Sequence, residues 1–144
     1  MAIRFYSKNE AFSELSNFSP HGIEMKGLWY PTIEHYFQAQ KFHDADYREK
    51  IRTARTAKDS KTLGRNRKVP IRSYWETVKD EIMFEACLKK FQTHKVLKEL
   101  LLSTGDEELV EAAPMDYWGC GRTGTGQNKL GKILERVREQ LREG

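Results

Sequence analysis

A chain of 144 residues, 38% hydrophobic and 32% charged, is long enough to bury a core without disulfide or metal staples, and residues 1–144 read as one domain. No apolar run is long enough to cross a bilayer, which excludes a helical membrane protein, and the opening MAIRFYSKNEAF lacks a signal-peptide apolar segment, so the expected compartment is cytoplasmic. The net charge is only +4, but residues 48–72 concentrate ten Lys/Arg against Glu49 and Asp59, a block that is either a solvated basic face or the approach to an anionic partner, substrate phosphate or nucleic acid.

In chain order, residues 3–32 mix short alternating runs (Ile3 and Phe5; Ile23 and Met25) with turn residues at 19–22 and at Gly27, which predicts a few short strands or a hairpin. Pro31 bars an incoming helix and Thr32 can cap one, so IEHYFQAQKF starts the first helix. A second helix is expected around Asp46 to Arg55, and a short one near Ser60 to Leu63 closed by Gly64. Apolar residues at three- and four-residue intervals predict helices over 77–93 and again around Val96 to Leu101, before Gly105. ELVEAAP can be a strand or the tail of a turn, and LGKILERVREQLREG is a final amphipathic helix. The fold class is α+β, mainly helical, with a small N-terminal β element.

Cys87 and Cys120 are far apart, and His21, His35, His43 and His94 form no ligand spacing, so no metal site is indicated. Gly119, Gly121 and Gly124 spell GxGxxG, but AAPMDYW before them does not read as a buried strand. The acid downstream, Glu139, lies inside the last helix, and no returning strand follows it, so a dinucleotide turn is rejected. The loop is either a tight surface turn or an anion cradle in which glycine amides and the helix opening near Asn128 point at phosphate.

Glu34, Gln38 and Lys41 stand at i, i+4 and i+7, within about a 60° stripe of one helix face. Flanked by Ile33, Phe37, His35 and Phe42, that stripe is either a surface Glu-Lys spacing or a polar line in a pocket where burial tunes protonation. Asp116 and Trp118, just before the glycine loop, can place a sugar hydroxyl and stack a heterocycle, or cap a turn and fill the core; Trp75 faces the same choice, and Asn17 is a turn former or a ligand contact. Carboxylates, a lysine, aromatics, arginines and a glycine loop, with no GxSxG, Walker A or Cys-His pattern, suit cleavage of a base-to-sugar bond.

The ordered pieces LSNF (15–18), YPTIEHYFQAQKF (30–42), LGR (63–65), VKDEIM (78–83), KF (90–91), LVEAAPMDYWGCG (109–121) and GQNKLGKILERVR (126–138) resemble the NADAR, or YbiA-like, family of N-glycosidases, with Cys120 as one departure. The resemblance implies a cofactor-free hydrolase of N-glycosidic bonds. One branch of the family acts on phosphoribosylamino-pyrimidine intermediates of riboflavin synthesis and releases ribose 5-phosphate; another removes ADP-ribose from guanine in nucleic acid. It also implies that Glu34, Trp75, Asp116 and Trp118 are active-site positions, with Lys41 close by. Glu34 would activate water or steady the anomeric carbon and Asp116 would assist, or Lys41 would form a Schiff base with a ring-opened sugar. Trp75 and Trp118 would sandwich or border the base. Asn17, Gln38, Arg65, Gly119, Gly121 and Asn128 complete the expected substrate contacts, with phosphate met by Arg65, the glycine loop and Arg4. The partner is thus a phosphorylated ribosyl small molecule or ADP-ribosylated guanine, and nucleic acid enters as a substrate; the rival from another class is a non-catalytic nucleic-acid-binding module.

Overall fold

The computed structural model describes residues 2–8 and 11–144. β1 (Ala2–Phe5) pairs in parallel with β4 (Glu108–Glu111), Ile3 opposite Leu109 and Phe5 opposite Glu111. A 3-10 turn at Ser13–Leu15 leads to the hairpin of β2 (Ile23–Met25) and β3 (Leu28–Tyr30). Lys26 and Gly27 both have positive φ, 54° and 87°, the combination that lets a two-residue turn follow the strand twist.

α1 (Ile33–Gln40) starts where Thr32 caps it, the hydroxyl accepting the His35 amide at 3.1 Å. Every residue of α1 is buried, so its polar groups must find partners inside the protein. His35 bridges Thr32 Oγ1 and the Ala54 carbonyl, and Gln40 Oε1 accepts from Arg48. α2 (Ala45–Arg52) is shifted toward the N-terminus relative to the expected span, because Asp44 caps the Tyr47 amide. α3 (Ala57–Gly64) is a turn longer than the sequence suggests, since Thr56 caps Asp59 and sets the start upstream of Ser60.

α4 (Trp75–Thr93) is followed directly by α5 (Lys95–Ser103), and α6 (Lys129–Glu143) closes the described chain. α1 packs on α2, α3 and α4, while α6 covers β4 and α4. The apolar residues of these helices join Phe5, Ile23, Tyr30 and Leu109 in one core. Among the described residues, no helix is long and apolar enough to cross a membrane.

Candidate functional site

The turn after the 3-10 segment is fixed from two sides. The Asn17 carbonyl accepts the Glu34 amide at 3.2 Å, and the buried Lys90 ammonium donates to the carbonyls of Glu14 (2.6 Å) and Ser16 (2.9 Å). With this turn as one wall, α1, α3, α4 and the end of β4 enclose an inner chamber of about 70 Å³, lined by Ser16, Asn17, Glu34, Lys61, Met83, Glu111 and Trp118 among others. An outer chamber of about 450 Å³ shares Ser16, Phe18, Lys61, Glu111 and Met115 with it and adds Lys8, Lys58 and Arg65. The two form one recess, acidic and apolar at its floor and cationic toward its mouth.

The α1 stripe is a pocket feature. Gln38 Nε2 donates to Glu34 Oε2 at 2.6 Å, and Lys41 Nζ donates to Gln38 Oε1 and to the Gly64 carbonyl, both at 3.1 Å. Burial raises the Glu34 pKa; the Gln38 amide and the cations Lys61, Lys41 and Arg65 pull the other way. Burial, with Arg67 beside it, lowers Lys41 to about 8. Lys41 nevertheless stands behind Gln38, off the chamber lining, and the amine on the wall is that of Lys61.

Trp118 lines the inner chamber, whereas Trp75, 3% exposed, does not. Phe37 lies against both indoles, at 5.0 Å from Trp75 and 5.3 Å from Trp118. Of the two indoles expected to sandwich or border the base, Trp118 lies on the chamber wall, and Trp75 is buried against Phe37 and off that wall. Asp116 is exposed and is not on the inner-chamber lining; it lines a surface groove with Arg122, Thr123 and Gln127 that shares Pro114 with the outer chamber. Arg4, on β1, contacts Cys120 Sγ at 3.8 Å and is absent from the linings of both chambers.

The glycine loop holds itself together. The amides of Gly121, Gly126, Asn128, Lys129 and Leu130 donate to the carbonyls of Ala113, Cys120, Gly119, Tyr117 and Trp118, so those N–H groups are engaged, and of the two readings left open, tight turn or anion cradle, the bonds favour the turn. A side chain at Gly119 would strike the Ala113 carbonyl, and Gly121 combines a φ of +75° with close approach to the Asp116 carboxylate. Asn128 brackets β4, accepting from the Glu111 amide and donating to the Leu109 carbonyl, both at 2.9 Å. These residues shape the floor without lining the chamber.

Two lining residues that sequence reasoning missed are Lys61 and Glu111. In ELVE, strand alternation puts Glu111 on the same face as the buried Leu109, an acid in a core register; that was the available signal. Lys61 follows Ser60 on the small face Ala57, Ser60, Gly64, which marks close packing but names no ligand.

The NADAR domain family matches residues 4–142. The chain is 47% identical to N-glycosidase Npun_R5314 of Nostoc punctiforme, over 99% of this chain and 94% of that one. It is 40% identical to the Vibrio vulnificus riboflavin biosynthesis protein VVA0006, over 98% of this chain but only 39% of that longer one. The NMR structure of E. coli YbiA superposes with a TM-score of 0.91 at 44% identity, covering 99% of this chain and 85% of that one. With a family match across nearly its whole length and these relatives, the chain belongs to the NADAR domain family and is an N-glycosidase of the YbiA type.

Proposed function

We propose that the protein hydrolyses the N-glycosidic bond of phosphoribosylamino-pyrimidine intermediates of riboflavin biosynthesis, releasing the free pyrimidine and ribose 5-phosphate. The observation that carries the reading is a buried acid, Glu34, at the floor of a recess whose mouth is ringed by Lys8, Lys58, Lys61 and Arg65. A sugar held there would set its anomeric carbon near Glu34 and its 5-phosphate among the cations. Trp118, Met83 and Phe37 offer apolar faces to the base. Glu34 acts on the attacking water and on the positive charge that develops at the anomeric carbon, and Gln38 holds the carboxylate in orientation. The riboflavin assignment of VVA0006 supports this substrate class.

A second reading, removal of ADP-ribose from guanine, draws on the same cations, which could serve a diphosphate in the roomier outer chamber. The purified protein, given each substrate in turn and assayed for ribose 5-phosphate or ADP-ribose, is expected to release the first faster. Preferential release of ADP-ribose reverses the order, and release of neither rejects both. Glu34→Gln, which keeps the side-chain shape, is expected to lower turnover by about 10²- to 10⁴-fold with the melting temperature little changed. Steady turnover by that variant would remove Glu34 from the mechanism.

A further inference from the structure

We propose that Glu111 is a second catalytic carboxyl of this site, the general acid that protonates the departing nitrogen while Glu34 serves as base toward water. The assignment rests on the N-glycosidase reading above and adds a residue and a role to it. Glu111 ends β4 with its backbone held at both sides, the amide by Asn128 Oδ1 and the carbonyl by the Cys120 amide, each at 2.9 Å. Its side chain lines both chambers at their junction and is only 6% exposed, yet its Oε1 meets no hydrogen-bonding group of the protein. A buried oxygen left without a partner costs about 1–3 kcal/mol unless something else engages it, and the side chain that carries this one lines the recess. Glu34, by contrast, has the Gln38 amide at 2.6 Å.

Like charges in one buried chamber oppose double ionisation. Burial, and then the Glu34 charge, push Glu111 up to about 7; burial raises Glu34 as well, against the Gln38 hydrogen bond and the nearby cations. Glu111, which the neighbouring Glu34 charge pushes further up, is thus the carboxyl poised to hold a proton near neutrality. The charged and titratable groups around Glu111 are Glu34 from α1, Lys58, Lys61 and Arg65 from α3 and its cap, Cys87 from α4, and Tyr6 and Lys8 from the N-terminal segment.

In the reaction, the Glu111 proton moves to the glycosidic nitrogen as the bond from C1′ breaks and its electron pair remains on nitrogen. The water oxygen bonds to C1′, and the proton that water loses passes to Glu34. The products are the free amine and the sugar hemiacetal; exchange with solvent returns the proton from Glu34 to Glu111.

The test uses the intact protein, a phosphoribosylamino-pyrimidine, and an N-ribosylpyridinium 5′-phosphate, whose nitrogen leaves neutral and needs no proton. Wild-type kcat is expected to fall as pH rises above about 7, the limb on which the acid is lost. In Glu111→Gln, kcat on the amine substrate should fall by about 10²- to 10⁴-fold with KM little changed, the alkaline limb should vanish, and pyridinium cleavage should persist. Glu111→Asp should regain part of kcat together with the limb. Infrared difference spectra with pH, read without substrate, should show a protonated carboxyl at neutrality that is missing from Glu111→Gln. Wild-type kcat with an intact alkaline limb in Glu111→Gln, equal losses on both substrates, or absence of that carboxyl band would overturn the assignment. Failure of the wild type to cleave either N-ribosyl bond would reject the parent reading and the catalytic role with it, a result distinct from a defect confined to the variant.

Discussion

Lys90 shows how a single buried cation can support a site it never enters. Only 1% exposed, it ties two carbonyls of the segment that forms one chamber wall. Burial lowers its pKa from 10.5 to about 8. Between those values the unfolded chain holds more of this proton than the folded one, so the Lys90 contribution to stability rises with pH across that window and is level below it. Lys90→Met removes the titration and orphans two carbonyls, and we expect a loss of about 1–3 kcal/mol at pH 7. Urea unfolding at a series of pH values should show the gap between wild type and variant widening from pH 8 toward 10; a narrowing gap contradicts the linkage. None of this was legible in the sequence, where Lys90 is one more lysine on an amphipathic helix. The Glu34, Gln38 and Lys41 stripe was legible, because helical periodicity alone decides which side chains share a line.

At the scale of elements, the contact between α1 and α3 is set by what α3 lacks. Ala57, Ser60 and Gly64 are its buried residues, and a Cβ at Gly64 would run into Gln38 Oε1. Gly64→Ala therefore acts on the chamber through Gln38, which must turn away and release the Glu34 carboxylate. Misplacing a catalytic group by about 1 Å can lower turnover by about 100-fold, and that is the loss we expect in kcat. Alanine's better helix propensity, about 1 kcal/mol, offsets part of the clash, so the melting temperature should move far less than activity. In a Gln38→Ala background the same substitution should have little further effect on kcat; an undiminished loss there would mean that Gln38 does not carry it. Element positions were readable where a cap or a period announces them, as at Thr32 and along α6. ELVEAAP was undecided because four residues cannot distinguish a strand from a turn. Its partner β1 lies more than a hundred residues away, and only tertiary pairing resolves it.

Across the whole molecule, seven of the ten cations in the basic block of residues 48–72 divide between two tasks, and Lys50, Arg55 and Lys68 are exposed. Arg48 of α2 donates to Gln40 Oε1 of α1, Arg72 to the Gln40 carbonyl and Arg67 to the Gly64 carbonyl, while Arg52 pairs with Glu49 within α2 and donates to the Trp29 carbonyl, so those charges are engaged in holding the fold. Lys58, Lys61 and Arg65 line the outer chamber, where Lys8 joins them from the N-terminal segment. Composition reveals the excess charge but cannot divide it, since the division depends on which carbonyls each side chain meets after folding. Cations gathered at the mouth of a recess with an apolar floor concentrate anionic ligands there, and salt weakens that attraction over about 8–10 Å. KM for a phosphorylated substrate should therefore rise with ionic strength while kcat stays level. Removing two exposed charges, Lys58→Ala with Arg65→Ala, should raise KM by about tenfold or more and flatten the salt response, because each charge-assisted contact contributes about 1.5–3 kcal/mol. The dephosphorylated substrate is the control: it has no charge for these residues to meet, so its KM should be the same in wild type and double variant. Equal effects on both substrates would place the phosphate elsewhere, and a fall in kcat without a change in KM would move these cations from holding the substrate to acting on the transition state.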